Sequence, residues 1–188
     1  PPFQEVVERT AIDAVMASYN EIDGIPSHSS SWLLQDILRG EWKFDGTVVS
    51  DYYAIEEMVS RHNIAADVPA AAKIALEAGV DVDLPSGISF STLTEQVKDG
   101  SVSMAAIDTA VRRILTMKFN AGLFENPFVD DAAPALRSNG AEGRALARRA
   151  AEKSLILLKN DGALPLTLPD TAADAPTIAV IGPNADVA

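Results

Sequence analysis

The chain has 188 residues, 47% hydrophobic and 22% charged, with 15 basic against 27 acidic side chains and a formal net charge of −12. So acidic a chain lacks the positive surface that a phosphate backbone requires, which argues against a nucleic-acid partner. Cysteine is absent, so disulfides and thiolate chemistry are excluded. His28 and His62 are the only histidines and have no metal-ligand spacing around them, so no metal is expected. No apolar run approaches the roughly 18 residues of a membrane span, so no membrane partner is expected.

Residues 5–12 are polar and compatible with a helix. Residues 14–19 form a short apolar run of strand length, and residues 20–26, with Asp23-Gly24 and Pro26, read as a loop. Ser29, Ser30 or Ser31 can cap a helix whose apolar face carries Leu33, Leu34, Ile37 and Leu38, with Gly40 at its end. After an Asp45-Gly46 turn, Thr47-Val48-Val49-Ser50 is a β-branched strand with Asp51 at its carboxyl end. Ile55, Met58, Val59 and His62 then recur at helical spacing.

A second cycle follows. Residues 69–78 are alanine-rich and helical, with Gly79 as the stop; residues 80–84 are a strand broken by Pro85-Ser86-Gly87. Ile107, Ala110, Val111, Ile114 and Leu115 mark an amphipathic helix that closes near Gly122. Strand and helix therefore alternate through residue 126. The pattern predicts an α/β protein with parallel strands, and three such units suit the C-terminal part of a (β/α)8-type barrel.

Residues 127–153 read as a linker and a charged helix, with Arg144, Arg148, Arg149 and Lys153 toward its later turns. Leu155-Ile156-Leu157-Leu158 is apolar, Asn160-Asp161-Gly162 turns the chain, and residues 177–182 are strand-like. The expected division is 1–126 for the barrel part, 127–153 for linker and helix, and 154–188 for the first strands of a second α/β domain. The chain opens on Pro1-Pro2-Phe3 and closes on that last strand, so it is expected to be the middle of a longer protein. Targeting signals would then lie outside it, and periplasmic, secreted and cytoplasmic locations all stay open.

Asp51 is the leading candidate for chemistry, because parallel β/α barrels place their sites at the carboxyl ends of strands. The competing reading is an Asp that caps the next helix. Tyr52 and Tyr53 beside it offer flat rings suited to sugar faces. Asp81 and Asp83 alternate like a metal pair, but without a nearby His they read as hydrogen-bonded structural acids. Glu56-Glu57 reads as a solvated helix face, and His62 as a packed residue rather than a base. In the last strand only Gly182 is present, followed by Pro183, so neither nucleotide-binding glycine motif is satisfied.

Three longer motifs add a resemblance. They are Val15-Met16-Ala17-Ser18-Tyr19-Asn20-Glu21-Ile22-Asp23-Gly24-Ile25-Pro26, then Leu38-Arg39-Gly40-Glu41-Trp42, then Phe44-Asp45-Gly46-Thr47-Val48-Val49-Ser50-Asp51-Tyr52. With Ala78-Gly79-Val80-Asp81, Gly122-Leu123-Phe124 and Leu158-Lys159-Asn160-Asp161-Gly162 in order, the chain resembles glycoside hydrolase family 3. That family holds β-glucosidases, β-xylosidases and related exo-glycosidases. The resemblance implies a barrel followed by an α/β sandwich domain, with Asp51 as catalytic nucleophile. It also implies that Tyr19 contacts that carboxylate and that Met16 and Tyr52 line the sugar pocket. The family's acid/base would lie beyond residue 188. Lys43 departs from the pattern, because the family usually has glycine before Phe44.

The implied reaction is hydrolysis of terminal β-D-glucosides by double displacement through a glycosyl-Asp intermediate, with an oligosaccharide or an aryl or alkyl β-glycoside as substrate and no cofactor. A β-xylosidase of the same family is the nearest alternative. The second alternative is a catalytically incomplete fragment with no activity alone.

Overall fold

The computed structural model describes residues 2–128, 140–166, 177–183 and 185. The chain divides into a unit over Pro1–Val129 and a unit over Asp130–Ala188.

The first unit mixes helices with short strands. Helix α1 (Pro2–Arg9) buries no residue. Strand β1 (Ala14–Met16) pairs in parallel with β4 (Thr47–Val49), Val15 opposite Val48 and Met16 opposite Val49. Strand β1 stops short of the expected Tyr19, although the Ala17 amide still donates to the Val49 carbonyl at 3.0 Å. Beyond it, the expected loop contains a small hairpin, β2 (Glu21–Ile22) against β3 (Ile25–Pro26). Asp23 and Gly24 take φ of 52° and 77° at its tip, the left-handed pair that a two-residue hairpin turn requires.

On the other side of β4, residues 80–84 run parallel to it, but only Val49 and Val82 form a bridge in place of the expected strand. The amides of Asp81 and Val82 both donate to the Val48 carbonyl, and the Ser50 amide donates to the Val82 carbonyl at 2.8 Å. Two donors on one carbonyl break the even spacing of a parallel ladder. Residues 14–17, 47–50 and 80–84 thus lie side by side with β4 in the middle.

The helix expected over residues 33–38 runs Trp32–Glu41 and is π-wound, with its closing bond from the Trp42 amide to the Ile37 carbonyl, five residues back. Gly40 therefore sits inside this helix rather than at its end. Leu34 and Leu38 are its buried residues. Helix α2 (Ala54–Ser60) buries Ala54, Ile55 and Met58, and His62 falls beyond its end. Burying Ile55 and Met58 stabilises the unit by about 2 kcal/mol each.

Helix α3 (Val68–Ala78) begins on Asp67, whose side chain accepts the Ala70 amide at 2.9 Å, and stops at Gly79 in the left-handed region at φ 114°. A Cβ at Gly79 would meet the Gln35 side chain at 2.6 Å, so the glycine permits both the turn and the close approach of the π-wound helix. Ala71, Ala75 and Ala78 join one core cluster with Leu34, Leu38, Phe44, Val48, Ile55 and Met58. Ala72 and Leu76 join another with Leu93, Val102 and Ala110. The helix is thus covered on two sides, and alanine is the residue that lets neighbours close on both. Helices α4 (Ile88–Ser91), α5 (Leu93–Lys98) and α6 (Met104–Asn120) complete the unit.

In the second unit, α7 (Ala141–Ser154) buries no residue. The apolar side chains 155–158 are exposed. The strand expected over 177–182 is not formed among the described residues. Part of the expected linker, residues 129–139, lies outside the described residues. No described helix is long and apolar enough to cross a membrane.

Candidate active site at the end of β4

The parallel arrangement carries Asp51 to the carboxyl end of the middle strand. Ser50, fully buried, is held twice by the neighbouring stretch: its amide donates to Val82, and its Oγ accepts the Leu84 amide at 2.8 Å. At Asp51 the sheet hydrogen bonding gives way to side chains. The Asp51 amide donates to His28 Nε2 at 3.0 Å, and the Asp51 carboxylate accepts the Tyr52 amide through Oδ1 at 2.8 Å. Tyr53 donates its amide to the Leu84 carbonyl and takes φ of 59°. That left-handed conformation is uncommon for an aromatic residue, and it turns the chain sharply into α2.

Of the four residues singled out in the sequence, three are joined by bonds. The Tyr19 hydroxyl donates to the Tyr52 carbonyl at 2.6 Å, and the Tyr52 amide donates to Asp51. The Asp51 carboxylate lies close enough to this phenol to act on it as well: the phenol is held above its ordinary pKa, first by lost water and then by the hydrogen-bonding influence and charge of Asp51. Met16 ends β1 in register with Val49 and is about half exposed, as is Tyr52. Tyr52 and Tyr53 meet edge to face with centroids 6.4 Å apart. A cavity between α3, α5 and α6, lined by Leu76, Phe90, Leu93 and Ile107 among others, includes none of the four.

The sequence reading missed His28. It is 2% exposed, and burial lowers its pKa from 6.5 to about 4 against the opposing charge of Asp51. The imidazole is therefore neutral at neutral pH, and accepting at Nε2 places its proton on Nδ1. The only signal in the sequence was a histidine in a serine-rich turn. Nothing local tells that its partner lies 51 − 28 = 23 residues away.

Asp81 and Asp83 have structural partners. Asp81 accepts from Arg39 at 2.7 Å, Arg113 at 2.8 Å and the Val48 amide at 2.8 Å. Asp83 accepts the amides of Ser89 and Phe90 at the start of α4. Its pKa is raised by burial, with Glu56 adding to the rise. Both are hydrogen-bonded structural acids. Glu56 differs from the expected solvated face, because its Oε2 is buried without a partner, whereas Glu57 pairs with Arg61 at 3.2 Å. The His62 side chain is 10% exposed and pairs through Nδ1 with Glu21 at 2.6 Å, tying the end of α2 to the β2–β3 hairpin.

Comparison with known proteins adds to this geometry. The family model for the glycosyl hydrolase family 3 N terminal domain matches residues 1–117. A periplasmic beta-glucosidase of Salmonella typhimurium is 39% identical over 194 residues, covering 99% of this chain and 24% of that protein. A beta-xylosidase of Formosa agariphila is 38% identical, covering 98% of this chain and 26% of that protein. Among solved structures, a β-glucosidase from Erythrobacter marinus superposes with a TM-score of 0.72 at 40% identity, covering 88% of this chain and 22% of that one. A beta-glucosidase from Listeria innocua in complex with glucose gives 0.69 at 33% identity over 88% of this chain and 22% of that one. The chain thus spans about a quarter of the length of the relatives it matches.

Proposed function

This chain belongs to glycosyl hydrolase family 3, and on that premise we propose that it carries the nucleophile of a retaining β-glycosidase acting on terminal β-D-glucosides. The observation that carries this reading is the placement of Asp51. Its carboxylate leaves the end of the middle parallel strand, its amide is fixed by a buried imidazole, and two half-exposed tyrosines stand beside it.

In the proposed reaction, Asp51 Oδ1 stays on the Tyr52 amide while Oδ2 attacks the anomeric carbon. The bond from that carbon to the leaving oxygen breaks, and a second carboxyl group, about 5–5.5 Å away, gives that oxygen its proton. We place this acid outside the 188 residues. It then takes a proton from water, which attacks the same carbon and releases Asp51. The Tyr19 hydroxyl, held on the Tyr52 carbonyl, braces the backbone next to the nucleophile. Met16 and Tyr52 supply apolar surface for the sugar ring. No cofactor takes part in these steps.

The glucoside reading is supported by the Listeria enzyme, solved with glucose and, as a D270A mutant, with laminaribiose. The near-equal likeness to the Formosa beta-xylosidase keeps β-xylosides as the second reading. The architecture proposed with it is the C-terminal part of a (β/α)8-type barrel over 1–126, a linker and helix over 127–153, and the start of an α/β sandwich from 154. The activity is that of the whole protein.

The test is Asp51→Asn in the whole protein. Turnover of an aryl β-glucoside is expected to fall roughly 10⁴-fold or more, with the thermal transition little changed. A 2-deoxy-2-fluoro glycoside should label the peptide holding Asp51 in the unaltered protein. Turnover retained in Asp51→Asn, or label on another peptide, refutes the assignment. Faster hydrolysis of the aryl β-xyloside would move the substrate to the second reading.

A further inference from the structure

The neighbouring stretch holds the backbone at Ser50 and again at Tyr53, whose amide donates to the Leu84 carbonyl at 3.0 Å. Ser50 has both an amide and a hydroxyl bonded to residues 82 and 84. The next amide, that of Asp51, is held by a side chain, His28 Nε2 at 3.0 Å. The peptide between Ser50 and Asp51 sets where the Asp51 Cα–Cβ bond points, and the amide of that peptide is held by this imidazole.

The carrier of the imidazole is itself braced. His28 lies in a single 3-10 turn, Ser27–Ser29. The Ser27 amide and Oγ both donate to the Asn20 carbonyl, at 3.2 Å and 2.8 Å, and Ser27 Oγ lies 3.2 Å from Ser18 Oγ. Ser29 Oγ donates to the Pro26 carbonyl at 2.9 Å. The turn is thereby tied to the chain just after β1, the other flank of the site. The charges that act on His28 are Asp51 and Glu57, which favour its protonated form, and His62, which opposes it. Helix α3 packs on the same turn, and its Lys73 and Glu77 pair with each other at 3.9 Å. Burial outweighs these charges and keeps Nε2 an acceptor at neutral pH.

We propose that His28 is the positioning residue of the Asp51 nucleophile: its buried Nε2, by accepting the Asp51 amide, sets the direction in which the carboxylate leaves the end of β4. The inference deepens the reading of Asp51 as nucleophile and depends on it. An acceptor at Nε2 is what the role needs, rather than bulk alone.

The experiment compares His28→Leu, which fills the space without an acceptor, with His28→Gln, whose side-chain oxygen can reach the Nε2 position. Both are made in the whole protein. The readouts are kcat and KM for an activated aryl β-glucoside, the rate of covalent labelling by a 2-deoxy-2-fluoro glycoside, and the melting temperature. His28→Leu is expected to lower kcat/KM and the labelling rate by about 10- to 100-fold, through kcat and with KM within about twofold. His28→Gln should recover most of that loss. Labelling at the unaltered rate in His28→Leu overturns the proposal, as does a folded His28→Gln as slow as His28→Leu. Should His28→Leu not fold, His28→Met, of similar bulk and only a weak acceptor, takes its place against the same criteria. Asp51→Asn separates the two readings. If it keeps turnover, the nucleophile assignment fails; if it loses turnover while His28→Leu labels normally, only the present inference fails.

Discussion

Asp81→Asn removes one negative charge from a site that holds three donors. The Asp81 side chain is 2% exposed, and Oδ2 accepts both Arg39 Nη2 and the Val48 amide while Oδ1 accepts Arg113 Nη1. Arg39 is itself only 9% exposed, and burial holds its guanidinium below its ordinary pKa against the pull of Asp81. Asparagine offers one acceptor and turns an N–H toward a donor, so at least one partner is left facing it unpaired. Removing one member of a buried ion pair costs about 3–5 kcal/mol. Arg113, at 23% exposed, can regain water, which places the expected loss near the lower end, about 3 kcal/mol. A typical domain has only about 5–15 kcal/mol in total. Urea denaturation of the whole protein should show the midpoint of the affected transition falling at unchanged slope. Arg113→Gln should cost less than Arg39→Gln, because Arg39 also donates to the Gly46 carbonyl at 2.9 Å. A loss under about 1 kcal/mol in Asp81→Asn would refute this account of the network and leave hydrophobic packing alone to hold the π-wound helix to β4 and α6.

Gly46→Ala should destabilise by about 1–3 kcal/mol on thermal melting, because a Cβ there would meet the Asp13 carbonyl oxygen at 2.4 Å and the Phe44 ring at 2.6 Å. Lys43→Gly should be neutral or stabilising by up to about 1 kcal/mol, since Lys43 has φ 58°, a conformation strained for any side chain and free for glycine. His28 should make stability fall with acid. Its folded pKa is about 4 against 6.5 unfolded, so between those values the unfolded chain binds the proton and the folded one does not. Its stabilising contribution is full above pH 6.5, declines by about 1.4 kcal/mol per pH unit, and has lost about 3 kcal/mol once pH reaches 4. Denaturation midpoints of His28→Gln between pH 4.5 and 7 should lack that slope; an unchanged slope would show that other groups cause it.

Strand β4 and helices α3 and α6 were legible in the sequence because their signals are local: β-branched residues at 47–49, an alanine-rich stretch over 69–78 with a Gly79 stop, and apolar spacing through Leu115. The family was legible from long motifs. What stayed hidden depends on distant partners. Residues 80–84 have the composition of a strand, but the doubled bond at Val48 leaves a single bridge. Leu33, Leu34, Ile37 and Leu38 predict a helix ending near Gly40, not the π winding that carries it on to Glu41. The bond from the Tyr19 hydroxyl to the Tyr52 carbonyl also joins residues 33 apart in the sequence. Lys43 was visible as a departure from the family pattern, and its left-handed backbone gives the physical reason why glycine is usual there.

The alanines of α3 carry a consequence for how this protein can change. A methyl group is the largest side chain that two close neighbours allow, so Ala71, Ala72 and Ala75 cannot grow without parting one layer or the other. Sequence drift along the helix is freer at Lys73 and Glu77, which face water. A saturation library should therefore tolerate almost any residue at Glu77 and only glycine or serine two positions earlier. That contrast is a fingerprint of a helix walled in on two sides.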